Sequence, residues 1–171
     1  MKTITLTPHQ IITLNDYPIY SAEMLRLYFD QCLSGQDLPL VPVIYKAVVR
    51  QYFTPELSET LESFERANPL ATYFMLDGSH RTTALTLTGR KINVIVYAAD
   101  GDIAQARGLV ATGQVLDNGT LAHSLAENCV ILREHFQERA YFMTVQHKTE
   151  KLIRDGCIAH YGLLHQDQGQ T

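Results

Sequence analysis

The sequence predicts an α/β fold: a small mixed sheet with helices packed on it, followed by a helical C-terminal extension. Three observations carry this expectation. Runs rich in Ile, Val and Thr alternate with apolar residues at helical spacing up to about residue 100. Beyond Gly101 the pattern turns helical, and 46% of the 171 residues are hydrophobic, enough to bury a core. Residues 1–100 are therefore expected to form the α/β domain and 101–171 a helical extension packed on it.

In chain order, residues 3–14 are rich in Thr and Ile and predict one or two short strands broken at Pro8. Asn15-Asp16-Tyr17-Pro18 predicts a turn. Ser21 is a suitable N-cap, and Met24, Leu25, Tyr28 and Cys32 follow at helical spacing until Ser34-Gly35. Residues 41–49 are a β-branched run, with Pro42 at its entry where a missing donor does no harm. Thr54-Pro55-Glu56 combines an N-cap, a first-turn proline and an early acid; Leu57, Leu61 and Phe64 line one face until Asn68-Pro69 stops the helix. Residues 72–76 predict a strand, Asp77-Gly78 a tight turn, and the stretch through Leu87 a short helix closed by Gly89. Ile92, Val94, Ile95 and Val96 predict another strand before Asp100-Gly101. Helices are then expected from about Asp102 to Val110, over 120–136 and over 149–154, with a polar tail at 166–171.

Composition narrows the function classes. Lys+Arg number 14 and Asp+Glu 18, a formal charge of -4, so nucleic acid is not the favoured partner. Residues 101–161 hold seven acids and six bases, with no concentrated basic helix for reading DNA. Cys32, Cys129 and Cys157 are far apart and odd in number, which favours a reducing cytoplasm over a disulfide framework. Cys129 falls on an apolar stripe and is expected in the core. No run approaches the roughly 18 apolar residues of a membrane helix, so a cytoplasmic location is expected. His123, His135 and His147 show no paired metal-ligand spacing, and the His160 to His165 pair falls near a fraying end, which argues against zinc. Asp117-Asn118-Gly119 predicts a turn. Tyr20, Tyr28, Tyr45, Tyr52 and Tyr97 are candidates for stacking a base, with nothing to choose among them.

The densest chemistry lies where the strand at 72–76 enters a helix through Asp77-Gly78-Ser79-His80-Arg81-Thr82. The unpaired N–H groups and positive dipole end of a helix start bind anions. Gly78 lets a backbone approach, and His80 and Arg81 add donors. The alternative is that Asp77 or Ser79 merely caps the helix.

The segment resembles the D-G-x-H-R-x-x-A box of the ParB/sulfiredoxin superfamily, matched at Asp77, Gly78, His80, Arg81 and Ala84. Upstream, the helix at 21–33, the P-x-V strand at Pro42-Val43-Ile44 and the strand at 72–76 follow the family's order, so the resemblance covers about residues 3–98. It implies a ParB/sulfiredoxin-like fold that cradles nucleotide phosphates, in a family of DNA-segregation CTPases, sulfiredoxins, free-serine kinases and nucleases. Ser79 stands where sulfiredoxins carry their catalytic cysteine, and a hydroxyl lacks the thiolate that reduces a sulfinic acid. The segregation CTPases differ at His80 and continue into a helix-turn-helix reader.

The leading expectation is therefore a nucleotide-binding protein acting as a magnesium-dependent small-molecule kinase or nucleoside triphosphatase on ATP, ADP or CTP. Gly78, Ser79, His80, Arg81 and Thr82 are expected on the phosphates, and Asp77 and His80 at the chemistry. Glu23, in the first turn of the first helix, resembles in position an acid kept by kinases of the family and is the candidate base toward a small hydroxyl-bearing acceptor. The alternatives are a non-catalytic nucleotide-sensing or DNA-binding module and, third, a nuclease. The helical third is expected to serve as a homodimer surface or a lid.

Overall fold

The computed structural model describes residues 1–18 and 21–158. Tyr20, His160, His165 and the polar tail at 166–171 lie outside the described residues. The elements are β1 (Lys2–Leu6), β2 (Ile11–Ile12), α1 (Ala22–Leu33), β3 (Val41–Tyr45), α2 (Lys46–Arg50), α3 (Pro55–Ala67), β4 (Tyr73–Met75), α4 (Ser79–Leu87), β5 (Ile92–Val96), α5 (Asp100–Gly108), α6 (Leu125–Glu138) and α7 (Val145–Arg154). Short 3-10 turns occupy Pro8–Gln10 and Gly119–Ala122.

The five strands form one mixed sheet in the order β1-β5-β3-β4-β2. β1 pairs antiparallel with β5 and β3 with β4, while β5 pairs parallel with β3 and β2 with β4. Successive side chains on a strand point to opposite faces, and here both faces are covered. Ile11, Val43, Met75 and Val94 share one core with Leu25 and Phe29 of α1, Ala84 and Leu85 of α4, and Val145 and Leu152 of α7. Ile12, Ile44, Phe74 and Ile95 share the other with Leu57 and Leu61 of α3, Ile103 of α5, and Cys129, Leu132 and Phe136 of α6. Burial on both sides explains why these strands are apolar runs rather than strict alternations. The result is an α+β molecule in three layers, helices on either side of a sheet. The helices after residue 100 complete both cores, and Cys129 is fully buried. No helix among the described residues is long and apolar enough to cross a membrane.

Three boundaries differ from the sequence expectation by about four residues or more. The strand expected over 41–49 ends at Tyr45, and Lys46–Arg50 turns into a helix. Lys46 Nζ donates to Ala71 O at 2.7 Å and pairs with Glu65 at 2.9 Å, while Arg50 pairs with Glu62, so the chain is drawn onto α3 instead of along the sheet. The helix expected from Thr120 starts at Leu125, where Ser124 Oγ accepts the Glu127 N–H and Glu127 accepts the Ser124 N–H, a reciprocal cap. The last helix starts at Val145 rather than Thr149, because Thr144 Oγ1 accepts the His147 N–H.

α4 is buried on nearly all sides, with Ser79, Arg81, Thr82, Thr83, Ala84, Leu85 and Leu87 all buried between α1, α7 and the sheet. A helix enclosed this way shows little amphipathic pattern. That enclosure fixes the position of its N-terminus.

Candidate functional site

β4 delivers the chain to Asp77, and Gly78 then takes φ 118° and starts α4. Positive φ at this value is open to glycine and costly for other residues. A Cβ here would also lie 3.2 Å from Arg81 Nη2 and 3.3 Å from Val41 Cγ1, so Gly78 is required by internal packing as well as by the turn. The glycine supplies no capping side chain. The residues carrying the helix's first N–H groups line an open cleft of about 520 Å³, whose other walls include Leu14, Asp16, Met24, Tyr28 and His135.

Each expected site residue has a definite place. Gly78, Ser79, His80 and Asp77 line the cleft. Arg81 also borders it, but its side chain is 2% exposed and its guanidinium is turned inward. Nη1 donates to Pro39 O at 3.0 Å and Leu40 O at 2.8 Å, and Nη2 donates to Asp77 Oδ2 at 2.6 Å. The expected phosphate donor is thus a positioning residue, tying the approach to β3 to the β4–α4 turn and holding one oxygen of Asp77. Asp77 remains 42% exposed, and Oδ1 has no partner among the described residues.

Two further expectations are corrected. Thr82 is buried, and its Oγ1 donates to Gly78 O at 3.0 Å inside the helix, as Thr hydroxyls in helices do; it does not line the cleft. Glu23 is exposed, whereas Ser21, Met24 and Tyr28 are the residues at the start of α1 that face the cleft. Its carboxylate favours the helix dipole instead. Of the tyrosines raised as base-stacking candidates, Tyr28 lines the cleft and Tyr97 is fully buried.

The structure adds one residue that was not singled out in the sequence. Lys148 of α7 is 1% exposed and places Nζ against Asp16 Oδ1, Leu14 O at 3.2 Å and Ser79 Oγ at 3.4 Å. Burial lowers the Lys148 pKa and Asp16 opposes that shift. A buried ammonium thus sits beneath the first residue of α4, where it adds to the positive end of the helix. The signal was present in the sequence: Lys148 lies within Val145, Thr149 and Leu152, a stripe whose other members are core residues. His80 lies close to Asp16, Lys148 and Asp77, and burial lowers its pKa. His135 is also pushed below its ordinary 6.5 by burial, and its Nε2 accepts the Asn15 backbone N–H at 2.8 Å. It is therefore the neutral tautomer with hydrogen on Nδ1.

Adjoining the cleft is a second lobe of about 320 Å³ bounded by Leu76, Ile131 and Leu132 and by the Asn118 turn, with Leu14, Asp77 and His135 lining both lobes. Among the described residues no group of three or more His, Cys, Asp or Glu can hold a metal ion. Magnesium, however, is commonly held by one or two carboxylates together with substrate phosphates. Asp77 and Asp16, each with one oxygen unpartnered among the described residues, fit that mode.

Comparison with family models, characterised proteins and solved structures returns no match to this chain.

Proposed function

We propose that this cleft binds the phosphates of a nucleotide and that the protein is a magnesium-dependent phosphotransferase or nucleoside triphosphatase, as the resemblance to the ParB/sulfiredoxin superfamily implies. One observation carries the reading: an uncapped helix N-terminus opens on a cleft and has a buried lysine ammonium against its first side chain. Aligned N–H groups and a desolvated cation both favour a multiply charged oxyanion over water.

In this reading the N–H groups around Ser79 and its hydroxyl receive phosphate oxygens, and Lys148 supplies the positive charge that the sequence assigned to Arg81. Arg81 holds Asp77 Oδ2, which leaves Oδ1 aimed by a fixed carboxylate rather than a rotating one. That oxygen faces the cleft as the carboxylate group that would orient the cation and, through it, an attacking hydroxyl from water or from a small acceptor. Magnesium, held by Asp77 and Asp16 with the phosphates, would neutralise the charge that builds on the transferred group. His80 and His135, both kept toward the neutral form by burial, add hydrogen-bonding groups without adding charge.

The test is incubation of the purified protein with ATP, ADP or CTP and magnesium, alone and with hydroxyl-bearing acceptors, followed by chromatography of the nucleotides. Product that disappears in Asp77→Asn is the expected result. Calorimetry showing no nucleotide binding at millimolar concentration to the folded protein would refute the proposal. Binding without product would leave a nucleotide-sensing module in its place.

A further inference from the structure

The second lobe differs in chemistry from the first. Its apolar walls are Leu14, Leu76, Ile131 and Leu132, the carboxylate of Asp77 also borders it, and no lysine or arginine lines it. An anion gains nothing there, whereas a flat apolar body does.

Two polar groups at its surface are oriented by bonds they make elsewhere. Asn128 is 2% exposed and lines the lobe; its Nδ2 donates to Thr120 O and Ser124 O, both at 3.0 Å. Both amide hydrogens are used, which fixes the side-chain orientation and leaves Oδ1 as an acceptor with no donor among the described residues. His135 receives the Asn15 N–H on Nε2 and therefore presents Nδ1–H as a donor, with no acceptor among the described residues. Beside Asp77, Asn118, Thr120 and His123, the lobe thus offers an oriented acceptor and an oriented donor near apolar walls. A nucleobase edge carries the complementary pair, a donor beside an acceptor on a planar ring.

We infer that this lobe is the base subsite of the nucleotide, with Asn128 Oδ1 and His135 Nδ1–H reading the base edge and Ile131 covering one side of the ring. The inference rests on the phosphate reading of the first lobe. Adjacency supports it: Leu14, Asp77 and His135 line both lobes, which places the sugar of a ligand that occupies both beside Asp77. The volume of about 320 Å³ is also at the lower end of the ~300–1,000 Å³ typical of ligand pockets, the scale of a base rather than of a whole nucleotide.

The experiment is calorimetry of the full chain with inorganic triphosphate, with adenosine, and with ATP, CTP, GTP and UTP. It is repeated on Ile131→Trp, a position 44% exposed that fills the lobe without entering the core. At least one nucleotide should bind about tenfold or more tightly than triphosphate. In Ile131→Trp that advantage and any preference among bases should vanish, with triphosphate affinity unchanged within about twofold. Competition by excess nucleoside of the preferred base against its own triphosphate, in the unmodified protein, gives the same answer without a variant. Nucleotides no tighter than triphosphate, or a base preference that survives Ile131→Trp, would overturn the base subsite and leave the phosphate site standing. Loss of triphosphate binding alone, with nucleoside still bound, would instead remove the phosphate reading.

Discussion

Replacing Arg81 by Met separates the two roles open to this residue. In the structure its guanidinium makes two hydrogen bonds to the carbonyls of Pro39 and Leu40 and one to Asp77. Bonds to a charged donor are worth about 1.5–3 kcal/mol each. The Asp77 bond is left out of the sum because that carboxylate is 42% exposed and screened by solvent. The two carbonyl bonds then contribute about 3–6 kcal/mol. Relief of the buried charge and the apolar contacts of Met offset roughly 1–2 kcal/mol of this, so a net loss of about 2–4 kcal/mol is expected. At ~2–4 °C per kcal/mol for a chain of this size, Tm should fall by about 5–15 °C in circular dichroism melts. Arg81→Lys should recover less than half of the loss, since an ammonium cannot replace a planar fork. A variant melting within about 2 °C of the parent, yet unable to bind triphosphate, would refute this reasoning and return the guanidinium to the ligand.

Four further outcomes follow. Gly78→Ala should cost about 1–3 kcal/mol in urea titrations, because the residue sits at φ 118° and its new Cβ would press on Arg81 and Val41. Lys148→Met should lower triphosphate affinity about tenfold or more while changing stability little. The cost of burying the ammonium is removed with the pair, and Asp16 keeps 30% exposure; a variant that binds triphosphate normally would contradict its place in the site. Asp77→Asn should reduce any turnover about 100-fold or more, with nucleotide binding retained by calorimetry. Finally, burial holds His135 neutral below its ordinary 6.5. The unfolded chain takes up that proton near pH 6.5 and the folded one only at lower pH. The stabilisation is therefore complete above 6.5 and is lost as pH falls toward the folded-state pKa. Tm should drop between pH 7.5 and 5.5, and His135→Leu should flatten that slope relative to the parent; an unchanged slope would refute the assignment.

Much of the architecture was legible because local signals agreed with the global pattern. Thr54-Pro55-Glu56 starts α3 as its composition requires, and the β-branched runs became strands buried on both faces. The errors arise where long-range partners decide. Residues 46–50 have strand-like composition yet curl into a helix because Glu62 and Glu65 of α3 draw in Lys46 and Arg50. At the site, the segment around Gly78 was visible as a strand entering a helix, but the direction of Arg81 was not, since its acceptors are some forty residues upstream. Asp16 was legible only as a turn residue, and Lys148 only as one base among six, because their pairing spans 132 positions. Asn128 and His135 were hidden similarly: which atom each leaves toward the lobe depends on Thr120, Ser124 and Asn15.

The pairing of Asp16 with Lys148 also bears on how the protein comes into being. The chain must emerge through α7 before the ammonium can reach the start of α4, and contacts of such sequence separation form late and slowly. A nascent or clipped polypeptide ending before Val145 would carry the β4–α4 turn without its cation, and the α7 side of one core would be open. A proteolytic cut ahead of α7 would therefore part the ammonium from the β4–α4 turn without touching any residue of that turn.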